Sequence, residues 1–351
     1  MAKRSVKAFW SRSIQRTLTA MTRTAIRAGS KAMTQALRAP PSARKPTPAK
    51  RASAPKARWI TGVAVGASGA RRYRLYKPPG VQRTERLPLV VMLHGCGQDA
   101  ESLAASTQMN RIAARERFLV LYPEQDRLSN AQGCWNWYDT RSGRAQGEAS
   151  AIDAAIDQVC LMQPVDPDRI GLAGLSAGAG MAALLATRRP ERFQAIAMHS
   201  GIAPGVAHSQ ATALSAMRGR RASPAPLAPL AGTVHLPTLL VIHGSADRLV
   251  APSNGAQAAQ LWAARDGAKP SAPRTVQRGA RYAATITDYR IRGRLVATLC
   301  EVNGLGHAWS GGAAGWTYSD QKGPDASRMI WSFMVKQFAN GAIARSAASL
   351  N

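Results

Sequence analysis

Runs of continuously apolar residues recur along the chain, and stretches with helical apolar spacing separate them. "LPLVVMLHG", "FLVLYPE", the "RIGLAGL" that precedes Ser176, "FQAIAMHSG", "TLLVIHG" and "VATLCEVNG" read as strands buried on both faces. Between them the spacing predicts helices over 99–116 with Asp99 near its start, 148–162, the segment after Ser176, 253–265 and 324–339. Ahead of the first run, "WITGVAVGASGARRYRLYKP" alternates apolar and polar positions around a Gly-Ala-Ser-Gly turn and predicts a hairpin. Strands of this kind alternating with helices predict an α/β fold: a mostly parallel central sheet with helices on both faces.

The pattern divides the chain unevenly. Residues 1–58 carry fifteen Lys or Arg and neither Asp nor Glu, inside a formal charge of +28. On a helical wheel Val6, Trp10, Ile14, Leu18, Met21 and Ala25 share one side and Arg12, Arg16, Arg23 and Arg27 lie opposite. A basic amphipathic helix is expected there, followed by a disordered Pro/Ala/Lys-rich linker. The folded domain is expected over 59–340, with 201–235 as an inserted loop or lid and 341–351 as a tail. Such an arm suits a granule or an anionic membrane surface through its apolar stripe, and nucleic acid less well.

Composition narrows the chemistry. No apolar run reaches the ~20 residues of a membrane span, and the N-terminus lacks the continuous apolar segment of a secretory signal, which leads to the expectation of a cytoplasmic protein, granule-associated through its arm. Four cysteines do not make a disulfide scaffold, and their spacing matches no zinc site. Cys160 and Cys300 fall in element patterns as buried thiols; Cys96 and Cys134 fall in loops and can pair in an oxidising compartment. Neither a metal nor an organic cofactor is expected.

In parallel sheets reactive groups gather beyond the C-terminal strand ends. Gly174-Leu175-Ser176-Ala177-Gly178 fits G-x-S-x-G, a strand-to-helix turn whose glycines leave the serine hydroxyl exposed. A serine needs a base and an acid that orients it. Asp247 follows the strand "TLLVIHG", and His307, the last histidine, follows "VATLCEVNG", in the Ser, Asp, His order of an α/β-hydrolase. Oxyanion donors are expected at the Ala177 N–H and in "LHGCGQD", where the Cys96 N–H is assigned and Gly97 is the alternative. His94 braces that loop; His199, His208, His235 and His243 are read as strand-end, loop or packing residues, with a contact to Asp247 as the alternative for His243. Trp135 and Trp137 in "GCWNWYD", with Trp309, are expected to wall the substrate site.

With these pieces together, the chain resembles the polyhydroxybutyrate (PHB) depolymerase type esterases, α/β-hydrolases related to feruloyl and acetylxylan esterases. The resemblance rests on "LHGCGQDA", "CWNWYD", "GLSAGAGMA", "HGSADRLVAPSNG" and "GLGHAWSGG". It implies Ser176 as nucleophile, Asp247 as acid, His307 as base and Cys96 as an oxyanion donor. The implied reaction is hydrolysis of a short-chain 3-hydroxyalkanoate polyester or its oligomers, with a feruloyl or acetyl sugar ester second.

Overall fold

A computed structural model describes residues 57–220 and 235–348. The basic arm and the linker lie outside the described residues, as does the part of the expected insertion over 221–234. Strands β1 (Arg58–Gly66) and β2 (Gly69–Lys77) form the hairpin, with Gly66 facing Gly69 across an Ala67-Ser68 turn. Then follow β3 (Leu87–Leu93), β4 (Leu119–Pro123), β5 (Val165–Leu175), β6 (Ala195–His199), β7 (Thr238–Gly244), β8 (Lys269–Pro270), β9 (Arg274–Val276), β10 (Ala284–Ile291) and β11 (Arg294–Val302). They make one sheet ordered β1-β2-β4-β3-β5-β6-β7-β11-β10-β8, with β9 also on β10. From β4 through β11 neighbouring strands run parallel, and antiparallel pairs close both edges.

Burial on both faces explains why these strands are apolar without alternation. In β3, Leu89, Val91 and Leu93 enter one core while Val90 and Met92 enter the other. The first core is roofed by α3 (Arg144–Met162), α4 (Ala177–Arg188) and α6 (Ser253–Asp266), through Ile152, Met181 and Trp262 among others. The second lies under α1 (Ala100–Thr107), α2 (Met109–Glu116) and α7 (Ala326–Ala348), through Leu103, Ile112 and Met334. None of the described helices is long and apolar enough to cross a membrane.

Four expectations change. The helix over 99–116 is two helices, broken at Gln108 with φ 54°. Carbonyls of the last turn of α1 are engaged from outside: Ser106 O accepts the Ala313 N–H and Thr107 O accepts Ser327 Oγ–H, so the helix ends where tertiary donors take its acceptors. Within the expected insertion, α5 (Gln210–Met217) forms behind a Ser209 capping box. The expected tail is the continuation of α7 as far as Ala348. Strand β10 is additional; its Thr, Ile and Tyr content suits a strand, but a place between β11 and the short outer strands β8 and β9 leaves its middle half-buried, and no apolar run advertises it.

Candidate active site

The site is assembled at the C-terminal ends of β3, β5, β6, β7 and β11. At the end of β5, Ser176 takes φ 55° and ψ −117°, a conformation that a non-glycine residue holds only when its surroundings enforce it. Its N–H donates to the carbonyl of His199 at 2.8 Å, and α4 begins at the next residue. The flanking glycines are demanded by close backbone approach. A Cβ on Gly174 would overlap the Gly178 carbonyl group, and one on Gly178 would overlap the carbonyl oxygens of Leu93 and His94. The turn is therefore locked against β3, and the serine side chain is left outside it.

His307 joins the other two strand ends. Ser176 Oγ–H donates to His307 Nε2 (3.0 Å), and His307 Nδ1–H donates to Asp247 Oδ2 (2.7 Å). The other Asp247 oxygen accepts the N–H groups of Leu249 and Val250, both at 2.9 Å. The Asp247 side chain is fully buried. Burial on its own would raise its pKa, but hydrogen bonds from His243, His307 and the Val250 N–H outweigh it and hold the carboxyl well below the usual range. Asp247 is thus a carboxylate near neutral pH, and it fixes the imidazole with its Nε2 lone pair toward the serine.

Facing Ser176 is the turn after β3. Within it the Gly95 N–H donates to Gln98 Oε1, the Gly97 N–H to Gln132 O and the Gln98 N–H to Gly95 O. The Cys96 N–H is not spent inside the turn, whereas the Gly97 N–H is taken by the Gln132 carbonyl. The Ala177 N–H, at the first position of α4, has no acceptor within the helix. The turn is held from the loop after β4 at four points. Cys96 and Cys134 form a disulfide; the Gln132 carbonyl takes the Gly97 N–H; Trp135 Nε1–H donates to His94 O; and the Gln125 N–H donates to His94 Nε2. Burial pushes His94 down to about 4, so it stays neutral and accepts that bond as a brace.

The loop is in turn anchored by the buried Glu148 on α3. Its carboxylate accepts both the Asn136 N–H (2.8 Å) and Asn136 Nδ2–H (2.6 Å), and the Asn136 side-chain carbonyl accepts from Asn130. Arg71, buried over the face of Trp135, supplies the nearby positive charge.

Not every expected wall residue lines the site. Trp137 and Trp135 border a cleft of ≈ 590 Å³ that includes Ser176, Ala177 and Cys96, although Trp135 is itself fully buried and committed to His94 O. Trp309 does not reach that cleft. It lies in the core beneath the site, donates its indole N–H to Ser327 Oγ and stacks on His199 at 4.9 Å, so it supports the His307 loop instead of contacting substrate. His199, read from sequence as packing, has a larger part. Its carbonyl takes the Ser176 N–H, while its Nε2 accepts the Ser310 N–H three residues beyond His307. Tyr318, not singled out in the sequence, packs edge-on against His307 at 5.9 Å. Only its neighbourhood in space marks it. No cluster of three or more His, Cys, Asp or Glu side chains suited to a metal ion occurs among the described residues.

The model of the family described as esterase PHB depolymerase matches residues 71–273, more than half of the chain. The chain belongs to this family. Its matched segment includes the turn after β3, Ser176 and Asp247, whereas His307 lies beyond it. Among similar curated proteins, this family member is 35% identical over 175 residues to poly(3-hydroxyalkanoate) depolymerase C of Paucimonas lemoignei, covering 48% of this chain and 42% of that one. It is 29% identical over 188 residues to feruloyl esterase B of Neurospora crassa, covering 50% and 63%. The family member therefore spans about half the length of these relatives. An acetyl xylan esterase from Aspergillus awamori superposes with a TM-score of 0.58 at 18% identity, over 72% of this chain and 94% of that one, a likeness of fold: the α/β-hydrolase sheet.

Proposed function

We propose that the chain is a serine ester hydrolase in which Ser176 is the nucleophile, His307 the general base and Asp247 the acid that orients it. The observation that carries this reading is the imidazole of His307 hydrogen-bonded at once to Ser176 Oγ and Asp247. His307 takes the Ser176 proton as Oγ attacks the ester carbonyl. The Cys96 and Ala177 N–H groups donate hydrogen bonds to the developing oxyanion, and His307 then returns the proton to the departing alcohol. Water, activated by the same base, cleaves the acyl-enzyme to acid and free serine. Ser176→Ala is expected to abolish p-nitrophenyl butyrate hydrolysis while the circular dichroism spectrum is retained; turnover by the folded variant would refute the assignment.

For substrate, a short-chain 3-hydroxyalkanoate polyester or its oligomers comes first, supported by the family and by the Paucimonas lemoignei relative. A feruloyl-type or acetylxylan-type ester comes second, supported by the Neurospora crassa relative and by the aromatic wall of Trp137 and Tyr138. A hydrolysis panel of amorphous polyhydroxybutyrate, its soluble oligomers and methyl ferulate separates the two. The basic arm is proposed to attach the enzyme to a granule or an anionic membrane surface; removal of residues 1–56 should abolish salt-sensitive binding to anionic vesicles. The compartment follows the state of Cys96 and Cys134, since a formed disulfide suits an oxidising space and the cytoplasm keeps thiols reduced.

A further inference from the structure

The cleft beside Ser176 is asymmetric in charge in a way that ester hydrolysis alone does not require. Apolar side chains such as Ile202, Leu214, Met217 and Val250 make one part of its lining, and neutral amides such as Asn130 and Gln132 make another. Among the described residues that line it, Arg144 is the sole charged side chain, and no carboxylate lines it. Arg144 opens α3, just after Gly143 with φ 82°. Its Nε lies 3.8 Å from Asp139 Oδ2, an ion pair longer than a hydrogen bond, and its side chain is 56% exposed. The guanidinium therefore borders the cleft with its fork of N–H donors not spent on Asp139.

A guanidinium at the rim of an otherwise uncharged cleft matches a ligand with a neutral ester body and one anionic end. Its planar fork fits a carboxylate with two parallel hydrogen bonds. We propose that Arg144 is a carboxylate-binding subsite that makes the enzyme favour short esters ending in a free carboxylate, such as linear hydroxyacid oligomers, over neutral esters. This inference rests on the ester-hydrolase reading. It has a chemical rationale: the interior of a polyester carries no charge, whereas each hydrolysed ester bond leaves one alcohol end and one carboxylate end. The subsite thus directs the enzyme to the fragments that earlier cleavage of a polymer produces.

The test compares kcat/KM for the linear trimer of 3-hydroxybutyrate with that for the same trimer capped as its N-methylamide. The full chain is expected to favour the free acid by roughly tenfold at low salt, the scale of one charge-assisted contact at a partly exposed site. Arg144→Gln should bring the ratio to about one, Arg144→Lys should recover part of it, and Asp139→Asn should raise it by removing the carboxylate that competes for the guanidinium's charge. A ratio near one in the unmodified chain, or a ratio that Arg144→Gln leaves intact, overturns the subsite. Failure to cleave either trimer by a chain that still hydrolyses p-nitrophenyl butyrate also overturns it and leaves the esterase standing. Loss of every ester activity in the unmodified chain removes the esterase reading itself.

Discussion

Replacing Glu148 by Gln tests whether the loop after β4 aims the oxyanion donor. The two Glu148 oxygens accept from the Asn136 N–H and from its side-chain amide. Glutamine keeps one acceptor and turns an NH₂ group toward the second donor. One charge-assisted hydrogen bond is lost, about 1.5 to 3 kcal/mol, and one buried donor is left unsatisfied, about 1 to 3 kcal/mol more. The buried Arg71 also loses a compensating negative charge. A destabilisation of about 3 to 5 kcal/mol lowers the Tm by on the order of 10 °C in a domain of this size. If the freed loop lets the Cys96 turn drift, kcat for p-nitrophenyl butyrate falls, with the ~10²-fold to 10³-fold loss of a whole oxyanion donor as the ceiling. KM should change little, because the donor acts on charge that develops in the transition state. Melting curves and steady-state kinetics below the Tm read both effects. A lower Tm with an unaltered kcat would show that the loop does not aim Cys96, and no change in either would show that the clamp contributes nothing.

Asp247→Asn should lower kcat by roughly 10⁴-fold with the fold intact, since an amide favours the wrong His307 tautomer; a loss under tenfold in a titration of folded enzyme would contradict the assigned acid. Stability should also fall as pH drops below about 6.5. Burial pushes His199 down to about 3 and His94 to about 4, so the unfolded chain takes up protons that the folded one refuses, at about 1.4 kcal/mol per pH unit for each histidine. Between about pH 7.5 and about pH 5 the two together cost about 4 kcal/mol, whereas Asp247, whose folded-state pKa is depressed, loses its contribution only at more acidic pH. A Tm that is flat over that range would contradict this. Reducing the Cys96–Cys134 bond, which spans 38 residues, should destabilise the domain by up to about 4 kcal/mol and free two thiols for alkylation. Cys300, buried and pushed up to about 12, should stay unlabelled in the native state; equal Tm values with and without reductant would refute the contribution of the bond.

The parts legible in the sequence are those that local chemistry dictates. A strand buried on both faces must be apolar at successive residues, so β3, β4, β6 and β7 announce themselves within a few positions of their ends. A serine held at positive φ between two residues whose α-carbons face backbone carbonyls must have glycines there, so the Gly-Leu-Ser-Ala-Gly turn is visible as letters. Successive strand ends also ordered Ser176, Asp247 and His307 as candidates along the chain.

Tertiary contacts decided what remained. The division of 99–116 into two helices depends on acceptors taken by Ala313 and Ser327, about two hundred residues away, and no local pattern encodes that. Burial of Trp309 and the commitment of its indole to Ser327 were equally invisible, because an aromatic residue looks alike whether it faces a cleft or a core. The choice of Cys96 over Gly97 as the free donor required knowing that the Gln132 carbonyl reaches Gly97. His199 gained its place by linking the Ser176 turn to the His307 loop. Residue type and spacing determined which groups stand at the strand ends; long-range hydrogen bonds and packing determined which of them are spent on the protein and which remain for a substrate.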